Sequence, residues 1–295
     1  MSTDVLETFT EEEWRARAQA HQARVEPWVA PRRDRRSRGQ SHPVDDFLFD
    51  YYPYSVGRIT SWHPGYGIEL QGNVEDFAAN PAYCRTTRGV TANSAALDRQ
   101  RARLEATIRI LQTTATREAN TGCFGMHEWA MVYAQGADEV RHRTHPLRLS
   151  REQVMDVVKG VGLRCTHFDA FRFFTSEAAP LNAVTPTRAR QAEFEQPGCL
   201  HANMDLYKYA QWFHPFVSSE LTADCFALAR QARELDMRAA PYDLQDLGYV
   251  PIRVETLEGR HDYARQQAEI TRQSRDLRGR LLTNLRPLLS SISAS

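Results

Sequence analysis

Apolar residues recur at helical spacing through most of the chain. Over residues 93–114, Leu97, Leu104, Ile108 and Leu111 are spaced to fall on one face of a helix. The clearest helical pattern lies at 218–235, where the apolar positions are Leu221, Cys225, Leu228, Ala232 and Leu235. Further helices are expected at 43–52, 126–133, 150–158, 202–213 and from about 257 to 289.

The first forty residues combine a helix signal with two proline breaks. Thr10 and Glu13 form a capping-box pattern, which opens a helix. Pro27 and Pro31 follow, and each removes a backbone donor that a helix would use. We therefore expect the helix to end before the first proline and residues 27–41 to form a linker or arm.

A period of two replaces the helical period at residues 58–70. Alternation of apolar and polar residues around a Pro64-Gly65 turn predicts a short β-hairpin with Trp62 and His63 exposed at its tip. The expected fold class is therefore mainly α: a single helical domain with a small β-hairpin element. We expect an N-terminal helix and arginine-rich arm over 1–41 and a helical catalytic or binding domain over 42–295.

Composition restricts the class of protein without choosing a function. The chain has 295 residues, 42% hydrophobic and 25% charged, which is ordinary for a soluble globular protein. No apolar run is long enough for a membrane helix, and the N-terminus has no apolar signal segment. Five cysteines without a CxxC pair do not suggest a disulfide framework. We expect a cytoplasmic protein with no membrane partner, and the oligomeric state stays open.

The charge pattern has one local concentration. The chain carries 37 basic and 37 acidic residues, so its net charge of zero does not favour nucleic acid. One stretch, "PRRDRRSRG", concentrates five arginines: Arg32, Arg33, Arg35, Arg36 and Arg38. Such a run is either a solvated linker or an arm that contacts nucleic-acid phosphates.

Three short stretches each place a cysteine, a histidine and an acidic residue close together. These stretches are "GCFGMHEW" with His127 and Glu128, "GLRCTHFDAFRFF" with His167 and Asp169, and "GCLHANMD" with His201 and Asp205. The second stretch fits a strand, with alternate residues on one face, but a Thr166–Asp169 capping-box pattern favours a helix. The spacing matches no dedicated metal or catalytic motif, so a metal site, a metal-free catalytic cluster and a satisfied core all stay open.

Aromatic residues concentrate at 47–54 and 168–174. Such stripes usually pack in a core, but they also form pockets that stack flat or cationic ligands. The substrate-binding candidates are Tyr51, Tyr52, Trp62, His63, Phe168 and Phe171. No glycine-rich phosphate loop, GxSxG elbow or kinase motif set is present, which removes the commonest nucleotide-dependent and hydrolase classes.

The segments "HPVDDFLFDYYPY", "WHPG", "GCFGMHEWAMVY", "RCTHFDAFRFF", "EQPGCLHANMDLYKYA" and "RELDMRAAPYDL" resemble a bacterial, mainly actinobacterial, family commonly labelled 3-methyladenine DNA glycosylase. The resemblance extends from about residue 10 to residue 265, and the chain carries no helix-hairpin-helix glycosylase motif. It implies an N-glycosylase that excises alkylated purines from damaged DNA without a cofactor. An aromatic slot would hold the flipped base, and the carboxylate and its helpers would come from Asp169, Asp205, Glu128 and His167.

Two other functions remain. The main alternative is a metal-dependent oxidase, oxygenase or hydrolase acting on a small molecule, with a divalent transition metal held by His127, His167, His201 and Asp205. The other is a non-catalytic protein that stacks a planar ligand. Because isolated buried charges are costly, we expect the three histidines and their acids to meet around one cavity lined by the two aromatic segments. The cysteines would then be packing residues behind it.

Overall fold

The computed structural model describes residues 5–136 and 145–292. Helices account for 58% of the residues, and the described part contains twelve α-helices and one four-stranded sheet. The predicted mainly α class is confirmed. No helix in these two ranges combines the length and apolarity needed to cross a membrane.

The fold combines long helices with very short ones. The strands are β1 Glu7–Phe9, β2 Ile68–Gln71, β3 Tyr83–Arg85 and β4 Gly89–Ala92. The helices are α1 Glu11–Ser37, α2 Phe47–Tyr51, α3 Val56–Thr60, α4 Glu75–Ala78, α5 Arg101–Ala115, α6 Met126–Ala130, α7 Arg151–Val161, α8 Phe168–Phe171, α9 Gln191–Phe194, α10 Leu200–Trp212, α11 Ser219–Ala239 and α12 Leu257–Ser291. Short 3₁₀ helices occupy Ser94–Gln100, Ala179–Leu181 and Gln245–Leu247.

The chain divides into two compact units, and the division expected near residue 41 stays a prediction. The first unit contains Met1–Leu111, Leu206–Ala227 and Asp276–Ser295. The second unit contains Gln112–Asp205 and Leu228–Arg275. Each unit therefore combines segments that are far apart in the sequence, and only chain-wide packing determines their membership.

The sheet lies in the first unit and has the strand order β1-β2-β4-β3. β1 runs parallel to β2, whereas β4 is antiparallel to both β2 and β3. The predicted hairpin at 58–70 is wrong, because residues 56–60 are helical and only 68–71 form a strand. The hairpin of this sheet is β3–β4, whose alternation the sequence reasoning missed because its strands have only three and four residues.

Helix α1 continues through both prolines, so the expected break before Pro27 is wrong. The predicted capping box of Thr10 and Glu13 does form at its start. Val25 and Val29 are fully buried, so the apolar face continues past the first proline. This burial offsets the hydrogen bonds that the prolines remove.

The arginine run is the last turns of α1 and not a linker. Asp46 is fully buried, and Arg35 binds it with Nε 2.9 Å from Oδ2 and Nη2 on Oδ1. Arg32 Nη1 lies 3.1 Å from the same carboxylate. Arg33 pairs with Glu26 and Arg38 pairs with Asp34, whereas Arg36 forms no ion pair with any described residue. Two of the five arginines thus fix the segment after α1, and three lie exposed.

Replacing Arg35 by Gln should lower the free energy of unfolding by about 2–3 kcal/mol. The change removes two hydrogen bonds to the buried Asp46 carboxylate, and bonds to charged groups are worth about 1.5–3 kcal/mol. Urea unfolding followed by circular dichroism measures the loss. The matched control is Arg36→Gln, which should change stability by no more than about 0.5 kcal/mol. Equal losses in the two variants would contradict this account.

Candidate metal centre

All the residues of the candidate site belong to the second unit. Its first segment, α6, is preceded by the N-cap residue Gly125, which has φ 68°, a left-handed conformation that favours glycine. A Cβ at this position would lie 3.3 Å from Ala239 Cβ and 3.4 Å from the Tyr263 ring. Glycine therefore lets α6 approach both neighbours closely. His127 and Glu128, which follow at once, are buried with 7% and 5% of their surface exposed.

The stretch at 162–174 combines the two conformations that the sequence left open. The backbone is extended at His167, with φ −99° and ψ 120°, and α8 starts at the next residue. The predicted capping box is absent, because no side chain caps α8. Asn182 fixes the extended part, since it accepts from Cys165 N at 2.7 Å and donates to Cys165 O at 2.9 Å. His167 is held fully buried at the end of this extended part.

The third segment, the start of α10, depends on a close backbone approach. A Cβ on Gly198 would lie 2.4 Å from the Asn120 carbonyl oxygen, so a larger residue would not fit there. Gln196 Oε1 accepts hydrogen bonds from Asn120 N at 2.8 Å and Gly198 N at 2.7 Å. In the first turns of α10, His201 and Asp205 are four residues apart and therefore share one face, as predicted.

A first group of donor atoms comes from His127, His201 and Asp236. One possible ligand atom from each lies within 4.8 Å of the other two, and all three residues are buried. His127 Nε2 lies 2.9 Å from Asp236 Oδ1 and 3.1 Å from Oδ2. Only the second contact has hydrogen-bond geometry, and Oδ1 has no hydrogen-bond partner in the described structure. Neither imidazole nitrogen of His201 forms a hydrogen bond with a described residue.

A second group comes from His167, Glu195 and Asp205. Their ligand atoms also lie within 4.8 Å of one another. His167 Nε2 is 3.1 Å from Asp205 Oδ2 and 3.4 Å from Glu195 Oε1. All three side chains are at least 99% buried. Gln191 Nε2 donates to Glu195 Oε1 and so orients that carboxylate.

The three histidines meet, as the sequence reasoning expected. The His127 and His201 rings are perpendicular, with centroids 4.5 Å apart, and the His167 and His201 rings stack at 5.4 Å. His201 therefore lies against both other imidazoles. Of the four residues expected as metal ligands, His127 and His201 fall in the first group, and His167 and Asp205 in the second.

Two of the expected carboxylates bind arginines, and two unexpected ones take part. Neither Glu128 nor Asp169 belongs to the donor groups. Glu128 Oε1 accepts from Arg233 Nη1 at 2.9 Å, and Asp169 accepts from Arg188. The missed residues are Asp236 and Glu195. Asp236 follows Ala232 by four residues on the apolar face of α11, and an acid at a predicted core position was the signal for it.

Burial and neighbouring charges shift the pKa values of the two histidines of the first group in opposite directions. Burial opposes charge on His127, but Asp236 outweighs it and raises the pKa of His127. Burial, assisted by His127, holds the pKa of His201 well below its usual range. The contrast follows from position, because the Asp236 carboxylate bonds directly to His127 and not to His201.

A narrow cavity with about 20 Å³ of free space, room for about one water molecule, lies beside the first group and is partly open to solvent. His127 and His201 form part of its wall, whereas no residue of the second group lines it. The wall also contains Cys123, Met126, Leu163, Arg164, Cys165, Thr166, Phe174, Gln196, Cys199, Leu200 and Tyr263. Burial raises the pKa of all three thiols, that of Cys165 to about 12. They are neutral wall residues at ordinary pH.

The aromatic candidates do not form the expected lining. Phe174 from 168–174 lines the cavity, but no residue from 47–54 does. Tyr52 is 3% exposed and packs edge-on against Tyr207, so it is a core residue of the first unit. Tyr51 packs against Tyr52 and Phe47. In the second unit, Phe168 lies under the Arg188 guanidinium and Phe171 packs against Phe174.

Trp62 and His63 are buried, so their predicted exposure at a hairpin tip is wrong. Trp62 is 6% exposed and its Nε1 donates to Glu220 Oε1 at 2.7 Å. His63 is 8% exposed, and its Nδ1 lies 2.9 Å from the Tyr83 hydroxyl. The His214 ring packs edge-on against His63 at 4.4 Å. Both candidates therefore belong to the interior of the first unit.

Comparison with known proteins adds no family. No protein-family model, curated protein or solved structure matches the chain. Function must therefore be inferred from the geometry of the two donor groups and their cavity.

His63 should make the stability of the protein depend on pH. Burial lowers its pKa to about 4, whereas an unfolded histidine titrates near about 6.5. Between these values the unfolded chain binds a proton that the folded chain does not, so the free energy of unfolding falls as pH falls. The slope from this residue reaches about 1.4 kcal/mol per pH unit.

The variant His63→Asn tests this slope, because its amide can keep the hydrogen bond to Tyr83. Urea unfolding at several pH values should show a smaller acid loss of stability in this variant than in the wild type. The control is His261→Asn at an exposed position. An unchanged pH slope in His63→Asn would contradict the assignment.

Proposed function

We propose that this protein is a metal-dependent enzyme acting on a small molecule. Its centre is formed by the first group of His127, His201 and Asp236, with the second group of His167, Glu195 and Asp205 beside it. This is the function that the geometry supports best. The carrying observation is that two buried sets of imidazole and carboxylate donors lie close enough together for each to hold an ion.

The spacing of the donors suits a first-row metal ion. With bonds of about 2.0–2.2 Å, two ligands of one ion lie up to about 4.4 Å apart. Donor atoms within 4.8 Å of one another reach that spacing with small shifts. Imidazole with carboxylate suits zinc, iron or manganese. Such an ion polarises a substrate oxygen or lowers the pKa of a bound water.

The first group supplies the face that meets the substrate. His127 and His201 line the cavity, and the imidazole nitrogens of His201 form no hydrogen bond with a described residue. The buried Oδ1 of Asp236 likewise has no hydrogen-bond partner among the described residues. A metal ion would use these idle donor atoms. Arg233 lies 3.5 Å from Asp236 Oδ2 and 2.9 Å from Glu128, and so orients Asp236 from behind.

The second group supports the centre from behind the cavity. His167 bonds to two carboxylates and packs on the His201 ring. Ordered partners behind a metal ligand commonly fix its orientation and tune its affinity. Within this proposal, Glu195 and Asp205 either bind a second ion or fix the orientation of His167.

The N-glycosylase activity implied by the family resemblance stays a prediction. Its candidate carboxylates, Asp169, Asp205 and Glu128, all have basic partners. Its candidate phosphate contacts are reduced to the three exposed arginines at the end of α1. Substitution of these three arginines therefore distinguishes a DNA-binding enzyme from one that acts on small molecules.

Asp236→Asn should lower bound metal by about tenfold or more, because an amide is a much weaker ligand than a carboxylate. Wild-type protein purified without a tag should hold at least one divalent transition-metal ion per chain, measured by elemental mass spectrometry. Asp205→Asn should lower the amount of metal bound at the second group. Circular dichroism should show that both variants keep their helix content.

Two variants serve as controls for this experiment. His63→Asn removes a buried histidine outside both groups and should keep its metal, as should Cys165→Ala at the cavity wall. The proposal fails if the wild type holds no metal after dialysis against zinc, manganese and ferrous ions. It also fails if Asp236→Asn and Asp205→Asn retain full metal content.

A triple variant that replaces Arg33, Arg36 and Arg38 by Gln should leave DNA binding unchanged if the enzyme acts on small molecules. A DNA-dependent enzyme should instead lose affinity evenly across sequences, and its salt slope should flatten by up to about 0.9 per phosphate contact. Fluorescence anisotropy with duplex DNA at several salt concentrations measures both. A charge-matched control replaces the exposed residues Arg99, Arg253 and Arg265.

A further inference from the structure

We infer that the cavity beside His127 and His201 holds one water molecule, which Tyr263 hydrogen-bonds and which occupies the open coordination position of the ion at the first group. The inference deepens the proposed function and rests on it, because this water would be the reactant that the centre activates. Three observations carry it: the size of the cavity, the unpartnered hydroxyl of Tyr263 and the unpartnered nitrogens of His201.

The cavity has the volume of a water site and not of a substrate pocket. Its free space is about 20 Å³, whereas a single water molecule needs about 10–15 Å³. The exposed residue Arg164 forms part of the wall, and the cavity is partly open, so water can enter from the surface. A molecule much larger than water does not fit unless the wall moves.

Tyr263 supplies a buried polar atom that needs a partner. The residue is fully buried and lines the cavity, and its hydroxyl has no hydrogen-bond partner in the described part of the chain. Buried polar groups are nearly always paired, often by ordered water. Burial raises the pKa of Tyr263 well above its usual range, so the hydroxyl keeps its proton and can donate it to an oxygen atom in the cavity.

The Tyr263 hydroxyl lies close to the first group. A Cβ at Gly125 would lie 3.4 Å from the hydroxyl oxygen, and His127 follows Gly125 by two residues. His127 and His201 line the same cavity, and the nitrogens of His201 form no hydrogen bond with a described residue. A water molecule in this space therefore has Tyr263 and the imidazoles of the first group as its polar neighbours.

This arrangement gives the proposed centre a reacting water. Three protein ligands leave a fourth coordination position open to water at a catalytic ion, and His127, His201 and Asp236 are three. An ion lowers the pKa of a bound water and so makes it a better nucleophile. By donating to the water oxygen, the Tyr263 hydroxyl would fix the orientation of that water.

Titration of the cobalt(II)-loaded protein with fluoride and with acetate, followed by visible absorption, tests the inference. Fluoride is close to water in size and accepts a hydrogen bond, so it should bind about tenfold or more tightly than the bulkier acetate, which the cavity wall excludes. In Tyr263→Phe, fluoride should bind about tenfold more weakly, the effect of one lost hydrogen bond to an anion, and acetate binding should not change. Phe174→Ala enlarges the cavity and should strengthen acetate binding by about fivefold or more, with fluoride binding unchanged.

The control is Tyr133→Phe, a buried tyrosine of the same unit that is not part of the cavity wall; it should keep the wild-type affinity for fluoride. Crystals of the metal-free protein test the water directly, and one ordered water within about 3.2 Å of the Tyr263 hydroxyl oxygen is expected.

Three results overturn the inference even in a protein that holds cobalt: no water at that distance, equal fluoride binding by the wild type and Tyr263→Phe, or acetate binding to the wild type as tight as that of fluoride. Metal content is measured on the same samples. A protein that takes up no cobalt but keeps the water overturns the proposed function and the coordination of the water, and leaves its contact with Tyr263 standing.

Discussion

The site depends on one constraint: a buried carboxylate must meet a partner that stabilises its charge. Four carboxylates of the second unit are at least 95% buried: Asp205, Asp236, Glu128 and Glu195. Each of them bonds to an imidazole or to the Arg233 guanidinium. An unpaired charge at these positions would cost several kcal/mol. The pairing therefore dictates which chain segments of the second unit must come together.

Very short elements position part of the site. α6 has five residues, and α8 and α9 have four each, far below the length at which a helix is stable alone. They keep their shape through side-chain bonds and close backbone approach, as at Asn182 beside the segment before α8 and at Gly125 before α6. The longer helices α10 and α11 supply the remaining ligands on regular faces. A precise donor set thus rests on segments that only tertiary contacts hold.

Sequence patterns predicted the long elements well, because each long helix repeats its apolar face several times. α10 and α11 lie where their periodicity placed them, and the apolar positions predicted for α11 are buried. Short elements carry less than one repeat, and so the hairpin was misplaced and α8 was given too early a start. α1 shows the opposite error, because the penalty of Pro27 and Pro31 is local whereas burial of Val25 and Val29 acts over the whole helix.

The sequence by itself determined the helical class and the grouping of three histidines with acids and small apolar residues, because both follow from local composition and spacing. It did not determine which acid meets which base. Glu128 and Asp169 stand beside histidines in the chain but bind arginines, while His127 bonds to Asp236, more than a hundred residues away. Partners of buried charges are chosen by distance in space, and only the tertiary structure decided that distance.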